Sequence, residues 1–274
     1  MLNQTNHTTG TAAINGAQLY YEIKGEGHPL LLLHAGVADS RMWDDQFDAF
    51  AQQYRVIRFD YRGFGRSNMP SDPFSRHEDV RALLDFLQIK AAYLLGISFG
   101  GLIALDFTLT YPNYVKALIL GAPSISGDTP SERVMKFWIA EDEALEDGDL
   151  EFATEINLRL WVDGPHREAE EVDSAVREKV REMQMNIFQK EIPDDVEEIG
   201  LNPPAVGRLH ELKIPVLIMV GDLDLEEKVA LTHRLETQIP GSKKVIIPGV
   251  AHMLNMEKPH LFNKSVLEYL EYGI

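Results

Sequence analysis

Residues 96–101 read Gly-Ile-Ser-Phe-Gly-Gly, between an apolar, strand-like run at 91–95 and a helix-like stretch at 102–111. A serine in that setting sits on a sharp strand-to-helix turn. Gly96 and Gly100 flank Ser98 at a spacing of two, where a Cβ would collide with the neighbouring strand or helix. The turn holds the Ser98 backbone in a strained conformation and lifts its hydroxyl above the edge of a sheet.

The rest of the chain supplies such a sheet. Runs at 11–14 and 18–24 flank Asn15-Gly16, a strong hairpin signal. Further strand-like runs fall at 30–33, 55–59, 117–120, 216–220 and 245–247, and helical periodicity at 44–53, 77–87, 228–238 and 259–272. Ser75 stands where the second of those helices needs an N-terminal cap. This alternation predicts an α/β fold: a mostly parallel central sheet with helices on both faces. One segment breaks the alternation. Residues 124–207 are helix-rich and lie between two strands, so the chain is divided into a core of 1–123 and 208–274 and an inserted helical cap of 124–207. No internal repeat or low-complexity tract is visible.

Charge narrows the partners. The formal net charge is −17, and residues 124–200 hold 22 Asp and Glu against 8 Lys and Arg. The ordinary use of such a segment is a solvated helical face. Its field argues against nucleic acid and would repel anionic ligands, which points to a small neutral substrate. No apolar stretch is long enough to span a membrane. The start of the chain is polar, without the basic-then-apolar pattern of a secretion signal, and there are no cysteines. A cytoplasmic protein is expected.

Two further loops stand at strand ends. The run 215–220 ends in Gly221-Asp222-Leu223-Asp224, and the run 243–247 is followed by Pro248-Gly249-Val250-Ala251-His252. Ser98 as a nucleophile needs a base. His252 would take its proton, and an aspartate would hold the imidazole tautomer and stabilise the imidazolium. Asp222 and Asp224 both qualify by position. No metal-binding spacing and no phosphate-binding loop is present, so neither metal nor cofactor is expected.

With Ser, Asp and His in that order, the chain resembles the α/β-hydrolase superfamily, in its serine esterase and lactonase branch. The likeness includes Leu30-Leu31-Leu32-Leu33-His34-Ala35-Gly36, the stretch Asp60-Tyr61-Arg62-Gly63-Phe64-Gly65-Arg66-Ser67, similar to the family's D-x-R-G-x-G-x-S loop, and residues 252–259. The resemblance implies a catalytic triad of Ser98, Asp224 and His252, since the family's G-x-x-D pattern falls on Asp224 and leaves Asp222 as a turn residue. It implies an oxyanion hole made of the Phe99 amide and, by matching the pattern, the Gly36 amide. Ala35 replaces the family's usual glycine, and Val37 is the competing donor. His34 supports its loop rather than the chemistry. Phe137, Trp138 and Trp161 either line an acyl pocket or form the core of the cap. The implied activity is hydrolysis of small carboxylic esters or lactones through an acyl-enzyme. Enol-lactonase, C–C bond hydrolase and perhydrolase chemistry share the triad, and a non-catalytic ligand-binding protein could retain it.

Overall fold

The structure is a computed structural model that describes residues 7–193 and 195–274. Among the described residues eight strands form one sheet: β1 (His7–Ile14), β2 (Ala17–Lys24), β3 (Pro29–Leu33), β4 (Arg55–Phe59), β5 (Ala92–Ile97), β6 (Val115–Gly121), β7 (Val216–Gly221) and β8 (Lys243–Ile247), in the order β1-β2-β4-β3-β5-β6-β7-β8. The β1–β2 hairpin turns at Asn15-Gly16, both with positive φ. It joins β4 antiparallel, and every later pairing is parallel. Each strand read from the sequence is present; β1 begins earlier than its apolar part because its outer half is exposed.

Alternation along the strands divides the core in two. Leu30, Leu32, Leu95, Ile97, Ile119 and Met219 face one way, packing with α1 (Asp44–Phe50) and α9 (Pro259–Tyr272). Leu31, Leu33, Leu94, Leu118, Leu120 and Ile218 face the other, against α2 (Arg76–Phe86), α3 (Phe99–Thr110) and α7 (Glu226–Gln238). The central strands are therefore buried on both sides, which is why they read as unbroken apolar runs. The fold class expected from the sequence is the one observed. At the start of α2, the Ser75 carbonyl accepts from the Asp79 amide, but its side chain makes no hydrogen bond to the helix backbone; the hydroxyl pairs with His77 Nδ1 at 2.8 Å instead. A competing side chain has taken the cap.

Between β6 and β7 lie α4 (Glu132–Glu146), α5 (Leu150–Asn157), a π-helical turn at Leu158–Asp163, and α6 (Ser174–Phe188). Leu158, Val162, Val180 and Met183 join the core on the α1 and α9 side of the sheet, and the remaining apolar contacts are smaller clusters, such as Ala144, Ala153 and Ile156 with Phe137. Charge completes the packing. The buried Asp163 carboxylate accepts from Arg159 and Arg177, each at 3.0 Å, and Arg177 and Arg181 both reach Glu155. Among the described residues no helix is long and apolar enough to cross a membrane.

Candidate active site

Ser98 joins β5 to α3 with φ 53° and ψ −113°, a conformation that costs an L-residue of order 1–3 kcal/mol. The surroundings enforce it. A Cβ on Gly96 would run into the Gly100 carbonyl, and one on Gly100 into the Leu33 carbonyl, so the turn closes only with glycine at both places. The Ser98 amide donates to Gly121 O at 2.8 Å, and its carbonyl accepts from Gly101, Leu102 and Ser124. The backbone is thus fixed on every side while the residue borders a cavity of about 720 Å³.

His252 borders the same cavity. Its Nδ1–H donates to Asp224 Oδ2 at 2.9 Å, and both side chains are almost wholly buried. The second oxygen of Asp224 accepts from the Leu225 amide at 2.8 Å. With the proton on Nδ1, Nε2 is left as an acceptor. It is buried and has no hydrogen-bond partner among the described residues. Asp222 is exposed and turned elsewhere: it accepts from the Gly249 amide at 2.6 Å and ties the end of β7 to the turn after β8. The loop carrying His252 is anchored from the inserted segment. Glu257 accepts from the Ala251 amide at 3.0 Å and pairs with Arg167, which also donates to the carbonyls of Val162 and Asp163.

Gly36, Val37 and Phe99 all border the cavity. Phe99 opens α3, so its amide has no acceptor within the helix and carries the positive end of the dipole. His34 is fully buried, and burial lowers its pKa. Its Nδ1 donates to Ala35 O at 2.9 Å, its Nε2 accepts from the Tyr61 amide at 3.3 Å, and its ring stacks on Tyr61. Both nitrogens are engaged in holding the loop. The 60–67 loop puts Phe64 on the cavity wall and is otherwise held by polar pairs. Asp60 accepts from the Ser40 and Arg66 amides, each at 2.8 Å, and the buried Arg62 pairs with Asp79 at 2.6 Å.

The three aromatic residues of the inserted segment divide. Phe137 packs into the small clusters there. Trp138 and Trp161 line the cavity, and the Trp161 ring lies 4.6 Å from that of His252. Most acidic side chains of the segment are exposed; among the described residues the cavity wall takes from it the half-buried Asp128 and Glu141, and burial raises the Glu141 pKa. Lys228 stands on the same wall. The field expected to exclude anions is therefore a property of the outer surface, and the cavity itself is of mixed charge.

Sequence reasoning missed Lys228, Ser124, Gln184 and Glu141. One signal for Lys228 was available. It is the third residue of α7, where a cation opposes the helix dipole and so needs another reason to be there.

A second, smaller cavity adjoins the first and reaches Asp106 on α3. This buried carboxylate accepts from Ser126 Oγ at 2.6 Å, and Ser126 Oγ in turn accepts from the Ala205 amide at 2.9 Å. Burial raises the Asp106 pKa to about 6. An acid whose pKa is raised on folding favours the fold most when protonated, and that contribution is lost as pH climbs from about 4 to about 6. Asp106→Asn keeps an acceptor for Ser126 and removes the charge. At pH 7.5 the variant is expected to be more stable than wild type by about 2 kcal/mol, with the difference closing near pH 4. Urea unfolding of both proteins across that range checks this; a variant less stable at pH 7.5 contradicts it.

Residues 28–259 match the alpha/beta hydrolase fold family, which covers most of the chain. The protein belongs to the α/β-hydrolase family and is a hydrolase. Its relatives differ in the bond they break. It is 27% identical to a pimeloyl-[acyl-carrier protein] methyl ester esterase of Aliivibrio fischeri (strain MJ11), over 85% of this chain and 90% of that one. It is 27% identical to the proline iminopeptidase PfmaB of Pestalotiopsis fici (strain W106-1 / CGMCC3.15140), over 94% and 98%. Among solved structures, the enol-lactonase from Burkholderia xenovorans LB400 superposes with a TM-score of 0.77 at 25% identity, covering 95% of this chain and 99% of that one.

Proposed function

We propose that the protein is a serine hydrolase of small carboxylic esters or lactones that works through an acyl-enzyme on Ser98. One observation carries this reading: a serine held at φ 53° shares a cavity with a histidine whose Nδ1 is bound by Asp224 and whose Nε2 has no partner among the described residues. His252 Nε2 would accept the Ser98 proton as Oγ attacks the carbonyl carbon. Asp224 would hold the tautomer and stabilise the imidazolium. The tetrahedral oxyanion would be bound by the Phe99 amide and by the amide of Gly36, with Val37 the alternative donor. His252 would then protonate the leaving alcohol and activate a water that releases the acid. Residues 124–207 would act as a cap, with Trp138 and Trp161 shaping the acyl site and shedding water from it.

The enol-lactonase and the methyl ester esterase among its relatives support an acyl-oxygen bond as the target. A second reading keeps the triad and moves the bond: a C–C bond hydrolase or a perhydrolase would need the same serine. A panel of p-nitrophenyl esters, lactones and vinylogous diketones, run with wild type and Ser98→Ala, separates these readings. Esters or lactones are expected to be turned over fastest, with activity lost in the variant. Turnover of diketones alone would move the assignment to C–C cleavage.

A further inference from the structure

Two cations border the large cavity, Arg76 and Lys228, and they are held differently. Arg76 pairs with Glu198 at 2.9 Å and lies over aromatic rings, among them Phe99. Lys228 Nζ donates to Ser124 Oγ at 2.9 Å, lies 3.4 Å from Pro123 O, and sits 5.7 Å from the centre of the Trp161 ring. It makes no ion pair with a carboxylate among the described residues. Three acids face it. Asp224 is engaged by His252 and the Leu225 amide, Asp128 by Arg234 at 2.7 Å, and Glu227 accepts from the Ser131 hydroxyl. Burial lowers the Lys228 pKa. An ammonium in this position bears a desolvation cost that no contacting counter-charge offsets.

The two groups that hold Lys228 also contact residues of the candidate triad. Ser124 donates its amide to Ser98 O at 3.0 Å, and Trp161 packs on His252. A ligand group bound at Nζ and Ser124 Oγ would therefore share one cavity with Ser98 and His252. Lys228 Nζ is a cationic donor, and the Ser124 hydroxyl that accepts from it keeps its own proton to donate.

We propose that Lys228 Nζ and Ser124 Oγ form a carboxylate-binding subsite, and that the preferred substrates are small esters or lactones carrying a free carboxylate. The inference rests on the serine-hydrolase reading for the bond cleaved, and on the cavity alone for the anchor. The competing role for Lys228 is structural, as a prop for Trp161 and Ser124.

The test pairs each anionic ester with a neutral isostere in which an isopropyl group replaces the carboxylate: monoethyl adipate for a carboxylate on the acyl side, para-acetoxybenzoate for one on the alcohol side. In Lys228→Met, kcat/KM for the anionic partner of at least one pair is expected to fall by 10-fold or more, about the worth of a charged hydrogen bond, chiefly through KM. The neutral partners are expected to change by less than about 3-fold, because their transition states do not use the ammonium. Lys228→Arg is expected to retain most of the preference. Equal losses on anionic and neutral esters would assign Lys228 the structural role, and no loss on either anionic ester would remove the subsite. Calorimetric binding of monoethyl adipate to Ser98→Ala, with and without Lys228→Met, reads the anchor without turnover. Weakening by 10-fold or more supports the subsite even if wild type hydrolyses none of the esters, a result that would sink only the esterase reading. Affinity unchanged by Lys228→Met, or no binding to either protein, overturns it.

Discussion

Ser98→Ala is expected to lose about 10⁶-fold in kcat and to melt within about 2 °C of wild type. The two halves of this expectation come from the same geometry. Everything that fixes the turn is backbone or glycine: Ser98 N on Gly121 O, Ser98 O on Gly101, Leu102 and Ser124 N, and the close approach of Gly96 to Gly100. Alanine keeps all of it, and the backbone strain at φ 53° is the same for both residues. Only the hydroxyl is lost. Initial rates on the best ester, with protein from a host background shown to be free of esterase, check the first half, and calorimetric melting checks the second. More than a few per cent of residual activity would remove Ser98 from the mechanism. A large fall in melting temperature would mean that the hydroxyl is part of the scaffold.

The acid gives the second large effect. Asp224→Asn is expected to lower kcat by about 10⁴-fold, because an amide at that position favours the imidazole tautomer with its proton on the wrong nitrogen. Asp222→Asn is expected to stay within about 10-fold, since an asparagine oxygen still accepts from the Gly249 amide and that bond is worth only about 1 kcal/mol. The two aspartates are two residues apart on one loop, yet Asp224 is buried against His252 and Asp222 is exposed on the far side of the turn. Matched kcat and KM measurements on the two variants decide between them. The reverse order of effects would make Asp222 the triad acid.

The parts of this molecule that were readable in its sequence are those fixed by local sterics or by burial on two faces. The central strands appear as apolar runs because water reaches neither side of them. Gly96 and Gly100 are readable because only glycine fits where two backbones meet. Ser98 and Asp224 are readable because each follows the carboxyl end of such a strand, and His252 because it lies in the loop after the half-exposed edge strand β8. The rest depends on contacts far apart in the chain. The distance between Lys228 and Ser124 in sequence hides their hydrogen bond, and Trp161 shows no local sign that it will pack on His252. Net charge is hard to place for the same reason. The acidic residues of 124–200 could be counted, but which of them faces the cavity is decided by how α4 to α6 pack. Ser75 is a smaller case, in which a histidine two residues on took the hydroxyl from the helix end.

The account turns on a single nucleophilic oxygen, and stoichiometric labelling addresses it most directly. The protein is titrated with a fluorophosphonate while ester hydrolysis is followed, and the labelled peptide is located by mass spectrometry. The expected result is one label per chain on Ser98, with activity falling in proportion to labelling and no label on Ser98→Ala. Full labelling at Ser98 with turnover intact, or loss of activity through a label on another residue, would contradict it.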